Sequence, residues 1–228
     1  MNIQIIFEDK NIIIINKPSG LVVHPFDYST EYTLVDFLHE KYPEIFTIEN
    51  SVTLQDKRNI PLGGIVHKLD RDTSGVMVIA KNQEVFDELK SQFRNHITKK
   101  NYISLVEGII GSDNFVIDAP LGRGKKEYKQ STNPINPRGE LRDAVTDVEV
   151  LKRMEKTTLV KLSPKTGRTH QLRAHMSSIG HPIVGDKAYG SKIDSERIML
   201  HAESLEFSIE GKEYSFKVEV PEGFDTFK

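Results

Sequence analysis

The run Val76-Met-Val-Ile-Ala80 constrains the fold more than any other stretch of this chain. Five consecutive apolar residues, most of them β-branched, lie between Gly75 and Lys81. The run is short for a helix and apolar on both faces, so it reads as a central strand buried from both sides. A sheet with covered faces must be built around it.

The rest of the chain supplies one. Ile3 to Phe7 and Asn11 to Asn16 read as strands joined by a turn at Asp9-Lys10. Tyr102 to Val106, Ala144 to Leu151 and Thr157 to Leu162 read as further strands. Near the C-terminus Leu205, Phe207 and Ile209 alternate up to a turn at Gly211, and Tyr214, Phe216, Val218 and Val220 alternate back. Helical spacing is confined to three places. Leu34, Phe37 and Leu38 predict a helix over 32–41, and Val85, Phe86, Leu89 and Phe93 predict one capped by Asn82. Leu172, Met176 and Ile179 form the core stripe of a third, over Thr169 to Ile179, with Gly180 at C′. Residues 43–64 read as a long loop, and residues 119–142, rich in Gly, Pro and Lys, as a mobile excursion. The class is α+β with a mixed, mainly antiparallel sheet, in one domain over 1–228.

Composition narrows the function. Apolar residues at 37% and charged residues at 28% suit a soluble globular protein. With no cysteine there are no disulfides, thiolate metal sites or cysteine nucleophiles. The N-terminus lacks the pattern of a signal peptide, and no apolar run is long enough to span a membrane, so a cytoplasmic location is expected. The formal net charge of −2 gives no support to a nucleic-acid partner, but charge distribution matters more than the sum. Residues 94–100, 123–129 and 165–175 are locally basic. The histidines form no H-x-x-x-H pair, and neither a phosphate-binding P-loop nor a serine-nucleophile signature occurs.

Two constellations could carry chemistry. In His67-Lys-Leu-Asp-Arg-Asp-Thr-Ser-Gly75, the residues Asp72 to Gly75 fit a type I turn, which leaves Asp70 unexplained. Read alone, Asp70 is either a solvated loop acid or a half-buried carboxylate positioned by rigid structure. In Gly167-Arg-Thr-His-Gln-Leu-Arg173, Thr169 is a candidate helix cap beside Arg168. Arg173 falls about 100° from Leu172, on the flank of the apolar stripe. It is either partly buried against an anionic partner or a surface residue with its stem on the core edge.

Taken together, six strings resemble the RluA family of pseudouridine synthases, in the family's order and across most of the chain. They are Asn11-Ile-Ile-Ile-Ile-Asn-Lys-Pro-Ser-Gly-Leu-Val-Val-His-Pro25, His67 to Gly75, Lys99-Lys-Asn-Tyr-Ile-Ser-Leu-Val-Glu-Gly108, Gly167 to Arg173, Gly180-His-Pro-Ile-Val-Gly-Asp186 and Leu200-His-Ala202. The resemblance implies a central sheet crossed by a cleft, in two halves that are not independent domains. It implies isomerisation of uridine in structured ribosomal or transfer RNA. In that reaction N1–C1′ breaks, the uracil turns over and C5 bonds to C1′, with no cofactor.

Site roles follow from the same resemblance. The family's catalytic aspartate falls on Asp70, which would attack C1′ or remove a proton from C2′. The family tyrosine falls on Tyr102, to stack on the flipped uracil, and Arg173 matches the arginine that pairs with the aspartate. His67, Lys68, Arg71, Arg168, His170, Gln171 and Leu200 are the expected RNA and substrate contacts. Lys68 stands where relatives have an arginine that fills the place of the flipped base, so it departs from the pattern. No N-terminal S4 RNA-binding module is expected, and the protein is expected to act as a monomer. A non-catalytic RNA-binding protein on the same scaffold is the alternative. An aspartate-dependent glycoside hydrolase would need a second acid in a matching motif, which is not found.

Overall fold

The computed structural model describes residues 3–26, 30–123, 130–132 and 138–224. They divide into two compact units. Unit 1 holds residues 1–98 and Leu205–Val218, and unit 2 holds Lys99–Ser204 and the segment from Glu219 onward. Among the described residues no helix is long and apolar enough to cross a membrane.

Unit 1 begins with β1 (Gln4–Glu8) and β2 (Ile12–Lys17), paired antiparallel. The Asp9 carboxylate accepts from the Asn11 and Ile12 amides and closes their turn. Helix α1 (Leu34–Lys41) starts in a capping box, with Thr33 and Asp36 each accepting from the other's backbone amide. The stretch predicted as loop contains a 3₁₀ turn at Pro43–Thr47 and a small hairpin, β3 (Ser51–Thr53) with β4 (Asn59–Pro61). Strands of three residues, each with one half-buried side chain, are too short to leave a periodic signal.

The VMVIA run lies in β5 (Ser74–Ala80), of which every residue is buried. It pairs antiparallel with β2 from Ile12↔Ala80 to Lys17↔Gly75. Helix α2 (Gln83–Arg94) follows, and the Asn82 side chain accepts from the Val85 amide as predicted.

Unit 2 opens with β6 (Lys99–Glu107) and β7 (Asn114–Asp118). Part of the expected excursion is a three-stranded sheet of β8 (Leu121–Arg123), β9 (Gln130–Ser131) and β10 (Arg138–Arg142), with β8 in the middle. Residues 124–129 and 133–137, including most of the 123–129 basic segment, lie outside the described residues. Strands β11 (Val145–Arg153) and β12 (Thr157–Pro164) pair antiparallel, and the order β6-β12-β11-β7 forms the body of the unit. Its core gathers Leu105, Val106, Val160, Leu162, Met176 and Ile183.

Helix α3 (Gln171–Ser178) is shorter than predicted. His170, in a left-handed conformation, is its N-cap residue in place of Thr169. At the other end Ile179 is the C-cap and is exposed, so it drops out of the core stripe, while Gly180 at φ +85 occupies C′.

Strand β13 (Leu200–Ile209) starts in unit 2 and ends in unit 1, where it turns into β14 (Lys212–Lys217). Glu210 and Gly211 both have positive φ, the requirement of a type I′ hairpin turn. The class is α+β with a mainly antiparallel sheet.

Candidate active site

Asp70 sits at the start of a turn, two residues earlier than sequence reading placed it. The Thr73 amide donates to the Asp70 carbonyl at 3.2 Å, and Ser74 is already in β5. Asp70 is half-buried, between the buried Leu69 and the exposed Arg71.

A second loop fastens this turn. The Gly20 amide donates to the Arg71 carbonyl at 2.9 Å, and the Ser19 hydroxyl to the Asp72 carbonyl at 2.7 Å. The Lys17 ammonium, completely buried, donates to the carbonyls of Pro18, Leu21 and Arg71 at 2.9, 2.7 and 2.9 Å. A buried cation needs such partners, because desolvation of an unpartnered charge costs several kcal/mol. Lys17 was invisible as a functional residue in the sequence. Its signal was a lysine closing an isoleucine run and followed by Pro-Ser-Gly.

The other residues singled out in unit 1 divide by exposure. His67 stacks on Phe93 with ring centroids 4.3 Å apart, and its Nε2 accepts from the Val78 amide at 3.2 Å. The ring thus braces β5 against α2. Lys68 is exposed. Arg71 is exposed too, paired with Glu31 and 6.0 Å from the centre of the Phe26 ring.

In unit 2, Tyr102 is half-buried on β6, opposite Leu162 of β12, and packs against the core. Arg173 is buried, the first of the two alternatives that its place beside the apolar stripe left open. It chelates Asp186 through Nε at 2.6 Å and Nη2 at 2.9 Å, and Nη1 lies outside that chelate. The Tyr189 ring covers the guanidinium at 4.9 Å, and the Tyr189 amide donates to Asp186. The carboxylate that the sequence reading overlooked is therefore Asp186, whose only signal was its place at the end of Gly180-His-Pro-Ile-Val-Gly-Asp186.

The segment ahead of α3 is internally bonded. Gln171 is buried, and its amide makes four contacts. Oε1 accepts from the Thr166 hydroxyl and the Arg168 amide, and Nε2 donates to the Val145 carbonyl and to Thr146 Oγ1. His170 Nδ1 lies 3.0 Å from the Tyr189 hydroxyl. Arg168 Nε donates to the Asp143 carbonyl at 3.0 Å. Leu200 is buried at the start of β13. Behind them His175 is buried, with Nδ1 3.0 Å from Thr146 Oγ1 and Nε2 3.0 Å from the Ala119 carbonyl. Burial lowers the pKa of His175 below the usual imidazole value.

The family model for RNA pseudouridylate synthase matches residues 11–178, a span that runs from the NIIIINKPSG string through Asp70 to α3. The chain belongs to this family.

Its curated relatives include RNA pseudouridine synthases of Aquifex aeolicus strain VF5, 40% identical, and of Bacillus subtilis strain 168, 37% identical. Both alignments cover 97% of this chain, with 71% and 70% of the respective relatives. The ribosomal large subunit pseudouridine synthase D of Pseudomonas aeruginosa is 38% identical over 84% of this chain and 55% of its own. Among solved structures, human RNA pseudouridylate synthase domain containing 1 superposes with a TM-score of 0.76 at 25% identity. That match covers 96% of this chain and 83% of the human one. The RluA resemblance and the enzyme class are thereby established: this pseudouridine synthase acts on RNA.

Proposed function

We propose that the enzyme isomerises specific uridines in structured ribosomal or transfer RNA, with Asp70 as the catalytic carboxylate acting on a flipped nucleotide. The observation that carries this reading is the anchoring of the Asp70 turn. Three bonds from Lys17, Ser19 and Gly20 hold the carbonyls of Arg71 and Asp72, on a frame continued into a wholly buried strand. Rigid support of this kind is what a group acting on one ribose atom requires. Ribosomal RNA is favoured as the substrate by the relative named large subunit pseudouridine synthase D.

In the proposed reaction the N1–C1′ bond breaks, the uracil reorients, and C5 bonds to C1′. C5 then loses its proton, and N1 is protonated. Asp70 serves the ribose by attack at C1′ or by removal of the C2′ proton. Tyr102 stacks on the uracil, and Arg173, charged and oriented by Asp186, steadies the carboxylate. Lys68 fills the place of the flipped base, and Arg71 and Arg168 meet phosphates. His67, His170, Gln171 and Leu200 act by holding these groups in place, as the inward bonds of His67 and Gln171 and the burial of Leu200 suggest. A monomer working in the cytoplasm without a cofactor completes the proposal.

The test is pseudouridine formation in ribosomal RNA from a strain lacking the gene. Wild-type protein should restore a defined set of sites by mass spectrometry, and Asp70→Asn should restore none while still binding the RNA. Deuterium at C2′ should slow turnover only if the C2′ proton is removed in the slow step. Substantial turnover by Asp70→Asn would show that another acid acts.

A further inference from the structure

Arg71 combines a fixed main chain with a side chain in solvent. Its carbonyl accepts from both Lys17 Nζ and the Gly20 amide, so its backbone cannot drift. Its guanidinium meets the Glu31 carboxylate, forty residues away in sequence, with side-chain exposures of 42% and 50%. An ion pair this exposed is screened and contributes little to stability. Stability therefore gives no account of why the pair is there.

A second exposed group lies beside it. Phe26 is 48% exposed and has its ring 6.0 Å from the Arg71 guanidinium carbon. A large aromatic face in water next to a fork of N–H donors is the combination that contacts a nucleotide: the ring stacks on a base and the fork takes a phosphate. Glu31 sets its Oε2 against Arg71 Nη2, where an oxygen of a phosphate would bind, and its negative charge repels phosphate from the spot. The carboxylate acts as an internal stand-in for the ligand.

We propose that Phe26 and Arg71 form a contact surface for a nucleotide flanking the target uridine, and that Glu31 occupies the Arg71 fork until RNA displaces it. The location beside Asp70 rests on the catalytic reading above; the exchange of partners at Arg71 does not. Glu31 would then set the affinity of binding, while Arg71 carries one phosphate's share of its salt sensitivity. An RNA that cannot place a phosphate at Arg71 gains nothing from opening the pair, so the exchange also favours correctly seated substrate.

The test is fluorescence anisotropy with a labelled uridine-containing 12-nucleotide single-stranded RNA, over a series of salt concentrations. Glu31→Gln should tighten binding several-fold and leave the salt slope steep. Arg71→Ala should weaken binding several-fold and flatten the log–log slope by about 0.7, the share of one phosphate contact on a single strand. In the Arg71→Ala background, Glu31→Gln should have almost no further effect, because the fork it frees is gone. Phe26→Ala should weaken binding of this RNA and leave unchanged the binding of an abasic ribose-phosphate strand of equal length. All three side chains are exposed, so melting temperatures should stay near wild type. Equal gains from Glu31→Gln with and without Arg71 would mean a general charge effect and would overturn the proposal, as would no gain in either. Pseudouridine formation by the wild type is read separately: its absence would sink the catalytic reading and leave the anisotropy result standing.

Discussion

At the scale of single residues, two buried charges bear the greatest consequences. Arg173→Met would leave Asp186 without its chelating partner in a site where its side chain has no access to water. Loss of one member of a buried pair costs roughly 3–5 kcal/mol, so the variant should melt well below wild type as well as lose turnover. An unchanged melting temperature would contradict the chelate. Lys17→Met should cost about 1.5–3 kcal/mol, the range for hydrogen bonds to a charged group, because three carbonyls lose their donor. It should lower turnover more than RNA affinity, since the Asp70 turn loosens while exposed RNA contacts persist. His175 adds a pH effect. Its pKa is lowered in the folded protein, so the unfolded chain binds the proton more readily. Stability should be complete above the ordinary histidine value of about 6.5 and decline as pH falls below it. His175→Gln should shrink the drop in melting temperature between pH 7 and pH 5. Lys68, exposed ahead of Leu69, invites a comparison of substrates. Lys68→Ala should slow single turnover strongly on structured RNA and little on an RNA whose target uridine is already unstacked. An equal loss on both would remove it from base replacement.

At the scale of elements, Gly64 is a sensitive point in unit 1. A Cβ there would lie 1.8 Å from the Ala80 carbonyl oxygen at the end of β5, and the Gly64 carbonyl itself accepts from the Ala80 amide. Gly64→Ala should therefore displace the loop from the strand and destabilise by at least the 1–3 kcal/mol typical of overpacking, measured by denaturant melts. The contrast between elements shows what sequence could carry. β5 was legible because both its length and its unbroken apolar character point one way, and the Asn82 cap because capping is local chemistry. The β3–β4 hairpin was not, since each strand turns one half-buried residue inward. The turn after Asp70 was misplaced because Asp72 and Gly75 satisfy local turn preferences equally well. Bonds from residues 17–20, more than fifty positions away, decide the matter. For Arg173 the stripe it flanks left burial and exposure both open, and the structure buries it. Its partner Asp186 lies in a non-helical segment with no periodicity to link the two.

At the scale of the whole molecule, the chain threads its units in an interleaved order. Unit 1 recruits Leu205–Val218 after unit 2 has been all but completed. Leu205, Phe207 and Ile209 of that segment are buried, and β13 is the strand next to β5. A fragment ending at Ser204 should therefore fail to give a protease-resistant unit 1, and a fragment of residues 1–98 should not fold alone. A stable, cooperative melt from either would refute this dependence. The same threading has a consequence for synthesis on the ribosome. His67 Nε2 and the Gly64 carbonyl take the Val78 and Ala80 amides, but the first half of β5 keeps its edge open on the side that β13 will occupy, and about 120 residues must be made before β13 arrives. At ordinary translation rates that is a wait on the order of ten seconds. During that interval a strand that is wholly buried in the finished fold has part of its edge open, the condition under which chains pair with one another. Slower elongation through residues 81–204 should thus raise the fraction of newly made protein that aggregates, with no change in the stability of the finished molecule.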